Sequence, residues 1–134
     1  MKQFTFLLLG FLLLTLVFSC SSENKPIEDG IYSGTFKVEY SNGFQTGATV
    51  LEFNADRYLC HGNQNRIPAG GSGTFMADDD QIVFQDESFW TADFDWNLIL
   101  NGTYDYEFDG SNLKIWAAKN DVGIYSFVLV KKNK

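Results

Sequence analysis

Residues 102–114 read Gly-Thr-Tyr-Asp-Tyr-Glu-Phe-Asp-Gly-Ser-Asn-Leu-Lys. Three aromatic residues, Tyr104, Tyr106 and Phe108, alternate here with polar ones, which is typical of a strand with one buried face and one face in water. The dipeptide Asp109-Gly110 is common in tight turns, so we expect the chain to reverse there into a second strand. The segment therefore predicts a β-hairpin with an aromatic inner face.

Similar short segments, separated by turn residues, extend in both directions from this hairpin. The first covers residues 32–40 and the last covers residues 123–131. Another is predicted over residues 97–100, because Asn101-Gly102 follows it and is a strong hairpin signal. No segment has a helical period long enough to bury a helix. About nine candidate strands, spaced about ten residues apart, predict an all-β fold, a small antiparallel up-and-down barrel of about eight to ten strands.

The composition limits both the size and the chemistry of the protein. A chain of 134 residues has room for one compact domain. Aromatic residues make up 16% of it, which argues against a disordered chain. The 17 acidic residues outnumber the 10 Lys and Arg, giving a formal net charge of −7. Because a nucleic-acid-binding protein needs a basic face, we expect no nucleic acid among the partners.

The chain begins with a short basic segment, Met1-Lys2-Gln3, followed by fifteen residues without charge, 4–18. As a helix, these residues would span about 22 Å, less than the roughly 30 Å hydrocarbon core of a bilayer. A basic start and a short apolar run that ends at a small residue are typical of a cleaved secretory signal. We therefore predict a signal peptide over residues 1–19.

The apolar run ends in Leu16-Val17-Phe18-Ser19-Cys20-Ser21-Ser22, which resembles a bacterial lipoprotein signal. The resemblance implies cleavage before Cys20, a diacylglycerol thioether on that cysteine and no membrane-spanning segment. With an added N-acyl chain, the lipid on Cys20 would carry three acyl tails, which are ample for stable anchoring. It also implies a lipidated tether over residues 20–29, a folded domain over residues 30–134 and a place in the cell envelope, where a serine after the cysteine favours the outer membrane. An ordinary cleaved signal is the alternative.

The folded part resembles a known class of barrel. Gly34 with Phe36 in the first strand, together with residues 102–114, is similar to small lipocalin-like domains of bacterial envelope lipoproteins. The resemblance covers about residues 30–131. The usual lipocalin opening has a tryptophan where this chain has Phe36. The resemblance implies a lipocalin-like barrel, and no motif in it is specific to one function.

Residues 86–97 form the most unusual segment, because four carboxylates and four aromatic side chains lie there between two predicted strands. Sugar rings stack on aromatic faces while carboxylates accept hydrogen bonds from their hydroxyls. An arginine in the preceding loop could hold a carboxylate ligand bidentately. On this interpretation the ligand-binding residues are Trp90, Trp96, Asp93, Asp95 and Arg66. The alternative, which we favour, is structural: the four rings plug one end of the barrel, and the arginine pairs with a local acid.

No catalytic or metal site is predicted. Asp93-x-Asp95-x-Asn97 begins like a calcium-binding loop, but Leu98 stands where the required glycine belongs. His61 is the only histidine, which excludes a metal site with several histidines. The segment 70–74 lacks the glycine that a nucleophile elbow carries two residues after its serine. We expect no catalytic residues, no metal and no cofactor.

We therefore expect a non-enzymatic, lipid-anchored protein of the cell envelope that contacts the membrane through Cys20. The first hypothesis is that it binds a small apolar or sugar-like ligand at the barrel mouth. The alternative is a protein-protein interaction module, an enzyme inhibitor or an envelope assembly partner, that uses the loops over residues 63–69 and 86–96. The interior separates the two hypotheses, because an eight-stranded barrel is barely wide enough for its own side chains. Inward aromatics that fill it leave no pocket and favour a protein partner.

Overall fold

The computed structural model describes residues 23–91 and 93–133, which form a closed barrel of eight antiparallel strands in sequence order. The predicted all-β up-and-down barrel is confirmed. The signal peptide and the lipidation predicted at Cys20 lie outside the described residues. The strands are β1 (Gly30–Tyr40), β2 (Gly43–Asn54), β3 (Arg57–His61), β4 (Gly71–Ala77), β5 (Gln81–Asp86), β6 (Gly102–Phe108), β7 (Asn112–Lys119) and β8 (Gly123–Lys131).

The barrel closes where β1 pairs with β8, from Tyr32 opposite Lys131 to Glu39 opposite Ile124. Closure leaves no unpaired strand edge on which another chain could extend the sheet. Gly34 permits the close approach of these two strands, since a Cβ atom there would lie 2.0 Å from the carbonyl oxygen of Val128. The glycine that begins the resemblance to lipocalin-like domains therefore has a packing role at the closure.

Aromatic rings fill the interior. Phe36 and Phe127 have ring centroids 4.8 Å apart, and Tyr58 meets Phe84 edge-on at the same distance. Rings this large each bury about 150–250 Å², so they dominate the free energy of such a small core. The largest side chains that are fully buried are Tyr32, Tyr104, Tyr125, Phe36, Phe84, Phe127, Leu51, Ile82, Leu100, Leu113, Ile115 and Leu129.

One predicted strand is wrong. Residues 97–100 do not pair with β6; the chain instead makes a 3-10 helix, Trp96–Leu98, followed by an isolated parallel bridge between Ile99 and Gly70. Gly102 begins β6 without a preceding hairpin turn, because the strands beside β6 are β5 and β7. Leu98, Ile99 and Leu100 are all buried. Burial of this apolar run at the barrel end overrides the local Asn-Gly signal.

The two ends of the barrel differ in their connections. At one end, short turns join β2 to β3, β4 to β5 and β6 to β7, and we call this the short-turn end. At the opposite end, residues 62–70 join β3 to β4 and residues 87–101 join β5 to β6, and we call this the long-loop end. Both loops that the alternative hypothesis assigned to a partner therefore lie at the same end.

The residues before β1 fold against the short-turn end, where the sequence had predicted a tether over residues 20–29. The Asn24 side chain donates to the carbonyl oxygens of Asp79 (3.0 Å) and Tyr106 (2.9 Å) and accepts from the backbone N–H of Phe108 (3.1 Å). Ile27 packs against the core. The folded unit thus begins near Asn24 rather than at Gly30, because these side chains satisfy backbone groups that the strand ends leave free.

Candidate functional site

The two long loops are joined into one unit at the long-loop end. The backbone N–H of Ala69 donates to the carbonyl of Leu98 at 3.0 Å, and that of Leu100 donates to the carbonyl of Gly70 at 2.8 Å. Leu98 and Leu100 belong to the buried core, so they close this end from inside. What lies outside them is a surface that both loops share.

Asn63 shapes the first of these loops. Its side-chain oxygen accepts from the backbone N–H groups of Asn65 (3.0 Å) and Ile67 (3.1 Å), and its amide donates to the carbonyls of Ala48 and Ile67. Gly47 of β2 lies directly beneath, and a Cβ atom there would clash with the Ile67 carbonyl. The Asn63 side chain therefore holds this loop against β2 at Gly47, where the absence of a side chain permits the close approach.

Asp86, at the end of β5, positions Trp90. One carboxylate oxygen accepts from the backbone N–H of Ser72 at 2.9 Å, and the other accepts from the Trp90 indole N–H at 2.6 Å. The indole thus has its polar edge turned to the barrel and satisfied there. Trp90 is half-buried. A ligand contact would be more exposed, and a side chain that plugs the barrel would be more buried.

Asp95 is committed to the barrel rim. Its carboxylate accepts from the hydroxyl groups of Tyr125 (2.8 Å) and Tyr40 (3.2 Å), and its other oxygen accepts from the backbone N–H of Asn97, which caps the 3-10 helix. Burial, followed by the charge and hydrogen bond of Asp95, raises the pKa of both tyrosines. Asp95, which the sequence predicted as a ligand contact, fastens the second loop to β1 and β8.

Lys119, the last residue of β7, completes this rim and was not among the residues predicted from the sequence. Its ammonium donates to the carbonyls of Asn101 (3.1 Å) and Asn97 (3.4 Å) and lies 4.6 Å from the ring centre of Tyr104. Burial lowers the pKa of Lys119 to about 8, although the charge of Asp95 opposes the shift. The sequence pattern of β7 could have identified Lys119, because every second side chain from Leu113 and Ile115 onwards points inside.

The aromatic residues of the second loop form an exposed surface. Phe89 is 93% exposed and Trp96 is 58% exposed, while Trp90 and Phe94 are half-buried. The rings touch in series, with centroids 5.7 Å apart for Trp90–Phe94 and 6.4 Å for Phe94–Trp96. The interpretation that all four rings plug the barrel is therefore wrong, because Leu98 and Leu100 do so. We call the surface made of Phe89, Trp90, Phe94, Trp96 and Arg66 the aromatic face.

Arg66 belongs to this face through its contact with Phe94. The guanidinium carbon lies 4.9 Å from the Phe94 ring centre. Among the ion pairs of the part of the chain that the structure describes, none includes Arg66, so the favoured pairing with a local acid is not found there. An open groove of about 390 Å³ runs beside it, lined by Asn63, Arg66, Phe89, Trp90 and Thr91 among others. Asp93 is exposed nearby in sequence.

Other features of the described residues 23–91 and 93–133 carry little chemistry. Within them no group of three or more His, Cys, Asp or Glu is arranged to hold a metal ion. Burial raises the pKa of the Cys60 thiol to about 12, so the reactive thiolate is scarce at neutral pH. In the same residues, no helix is long and apolar enough to cross a membrane.

Fold and site together define a small all-β protein, a closed eight-stranded up-and-down barrel with a filled interior and an aromatic face at one end. Comparisons of the chain with protein-family models, with curated proteins and with solved structures find no match.

Proposed function

We propose that the protein is a non-enzymatic, lipid-anchored component of the cell envelope that binds another envelope protein through the aromatic face. One observation carries this proposal: large aromatic side chains are exposed at the long-loop end, with Phe89 at 93% and Trp96 at 58%. Exposed aromatic clusters on soluble proteins mark interaction surfaces, and Trp and Arg are over-represented among the residues that dominate binding free energy.

The filled interior supports a partner outside the barrel. Tyr104, Tyr125 and Phe127 are each at most 1% exposed, and the rings of Tyr104 on β6 and Phe127 on β8 have centroids 6.4 Å apart. A lipocalin-type ligand needs room inside, and an eight-stranded barrel of this kind has its width taken by side chains. Because the barrel offers no such room, the filled interior argues against a small apolar ligand and favours a protein-protein interaction module.

The short distance between Cys20 and the barrel supports one orientation of the domain relative to the membrane. Three residues separate Cys20 from Asn24, which is fixed to the short-turn end. Four extended steps of about 3.5 Å limit the distance between these two residues to about 14 Å. An acyl anchor on Cys20 would hold the short-turn end near the bilayer and turn the aromatic face away from it. A partner in the envelope, with the outer membrane as the proposed anchor site, would then meet the face directly.

A sugar-like ligand on the same face is the second candidate. The exposed ring of Phe89 and the exposed carboxylate of Asp93 suit stacking and hydroxyl recognition. Two of the polar groups predicted for this role are engaged elsewhere, however: the Trp90 indole N–H bonds to Asp86, and Asp95 accepts from two tyrosines. This leaves fewer hydrogen-bonding groups than sugar recognition normally uses.

The test is photo-crosslinking in the cells that make the protein. A benzophenone amino acid replaces Phe89, and a matched control replaces Met76, which is 75% exposed near the short-turn end. We expect one discrete adduct from position 89, absent from position 76, that protease digestion removes. An adduct that resists protease and is removed by glycosidases would establish the glycan instead. No adduct at position 89, or the same adducts from both positions, would refute a binding role for the aromatic face.

A further inference from the structure

We propose that Arg66 determines the specificity of the aromatic face by receiving one carboxylate that a protein partner carries beside an apolar side chain. This inference rests on the proposed function, since it names the chemistry of the partner. It follows from which charges near the face are already paired, how Arg66 is held and what surrounds its guanidinium.

Three of the four acids in residues 86–97 have partners of their own, and the fourth, Asp93, is exposed and forms no ion pair with Arg66. Both oxygens of Asp86 are occupied, by the backbone of Ser72 and by the Trp90 indole. Glu87 pairs with Arg57 at 2.8 Å. Asp95 accepts from Tyr40, Tyr125 and Asn97, as described above. Within the described residues, these contacts leave Arg66 without a carboxylate, although the protein carries a formal net charge of −7.

The guanidinium is held ready for an acceptor. The backbone N–H of Arg66 donates to the carbonyl of Asn63 at 2.9 Å, and its φ of 57° lies in the left-handed region. The Asn63 side chain fixes the residues on both sides. The guanidinium carbon lies 4.9 Å from the Phe94 ring centre, so the ring holds the cation beside the groove. The planar fork of N–H donors on an arginine is the group that binds a carboxylate bidentately.

The groove indicates that the partner also carries an apolar side chain beside its carboxylate. Phe89 and Trp90 line it together with Arg66, so a ligand that reaches the guanidinium also passes aromatic surface. The overall negative charge disfavours a partner with a broadly acidic surface. A single carboxylate flanked by an apolar side chain satisfies both conditions, because it matches the one cation and buries its neighbour against the rings.

The experiment uses the full, lipidated chain in detergent micelles and two neutral-capped dipeptides, N-acetyl-Phe-Glu-amide and N-acetyl-Phe-Gln-amide. Binding is followed by NMR at the Arg66 Nε–H and the Trp90 indole N–H. We expect the Glu peptide to bind at least about tenfold more tightly than the Gln peptide. Acetate alone should bind more weakly than the Glu peptide. Arg66→Gln should abolish the preference, and Arg66→Lys should reduce it, because Lys offers a point charge and no planar fork. Lys114→Gln, which also removes one exposed cation but lies on β7 away from both loops, is the control and should leave the preference intact.

Equal binding of the two peptides, no binding of either, or a preference that survives Arg66→Gln would overturn the assignment to Arg66. Acetate binding as tightly as the Glu peptide would overturn the apolar requirement and identify a site for small anions. These failures are distinguishable from failure of the proposed function, because a protein adduct at position 89 stands or falls independently of the charge at position 66.

Discussion

At the short-turn end, the side chain of Asp109 accepts from the backbone N–H groups of Ser111 (2.8 Å) and Asn112 (2.7 Å), and Asp78 closes its turn in the same way. At the long-loop end, Asp95 is held by tyrosines 55 and 30 residues away in the chain. The turn at residues 109–112 is held by neighbours in sequence, whereas the second loop is held by side chains of distant strands. The distant contacts fix the second loop from below, while the ring of Phe89 is 93% exposed on its outer side.

The largest expected effect concerns the interior beside the short-turn end. Tyr106 is 2% exposed, and its hydroxyl donates to the carbonyl of Asp78 at 2.6 Å. Tyr106→Ala should lower the free energy of unfolding by about 3–5 kcal/mol, because it leaves a cavity among packed rings. Urea unfolding followed by circular dichroism measures this. Tyr106→Phe should cost only about 1 kcal/mol. A loss near zero for the alanine variant would mean that the ring lines a cavity or faces water.

A smaller loss is expected where the chain start meets the short-turn end. Asn24→Ala removes three hydrogen bonds and leaves the backbone N–H of Phe108 without its acceptor. We expect a loss of about 1–3 kcal/mol in the free energy of unfolding. Glu23→Ala, at the exposed neighbouring position, is the control and should change little. Equal stability of the Asn24 variant and the wild type would return residues 24–29 to a free tether.

At the long-loop end, the buried amine of Lys119 predicts a pH dependence. Its folded pKa of about 8 lies below the ordinary value of 10.5, so the unfolded chain binds the additional proton between these pH values. The stability of the wild type relative to Lys119→Met should therefore rise as the pH increases from 8 to 10.5, by roughly 1–2 kcal/mol after allowing for partial exposure. Comparison of the two unfolding curves cancels the tyrosine and cysteine titrations. A difference between the wild type and Lys119→Met that stays flat across this pH range would contradict the burial of the amine.

The smallest effect on stability is expected on the aromatic face itself. Phe89→Ser should change the free energy of unfolding by less than about 0.5 kcal/mol, since the ring is 93% exposed. The same urea experiment measures it, with Phe84→Ser as the buried counterpart that should be severely destabilised. A loss above about 2 kcal/mol for Phe89→Ser would assign the face a structural role and remove the contrast between the two ends.

The sequence predicted the parts that depend on local patterns. Alternation in Tyr104, Tyr106 and Phe108, with the turn signal of Asp109-Gly110, was enough to predict the strands and the direction of their inner faces. The class of fold follows from repeating that pattern along the chain, whereas the sequence left open whether the interior is filled or hollow.

What the sequence could not supply depends on contacts between distant residues. The Asn-Gly signal at residues 101–102 predicted a hairpin, but the parallel bridge from Ile99 to Gly70 captures the preceding segment. Asn24 was interpreted as part of a polar tether, because the sequence does not show that its backbone acceptors lie in the β4–β5 turn and on β6. The exposure of Phe89 was equally hidden, since an aromatic residue between strands reads as core until the residues that close the barrel are known.

The most direct test of the central claim, that the protein works on its outer surface and not within the barrel, is native mass spectrometry. The full chain is purified gently in detergent from its own envelope. The filled interior predicts the mass of the chain with its anchor and no bound small molecule. A small molecule present at one per chain, and retained when Phe89→Ser and Arg66→Gln are combined, would contradict the account, because it would have to lie inside the barrel.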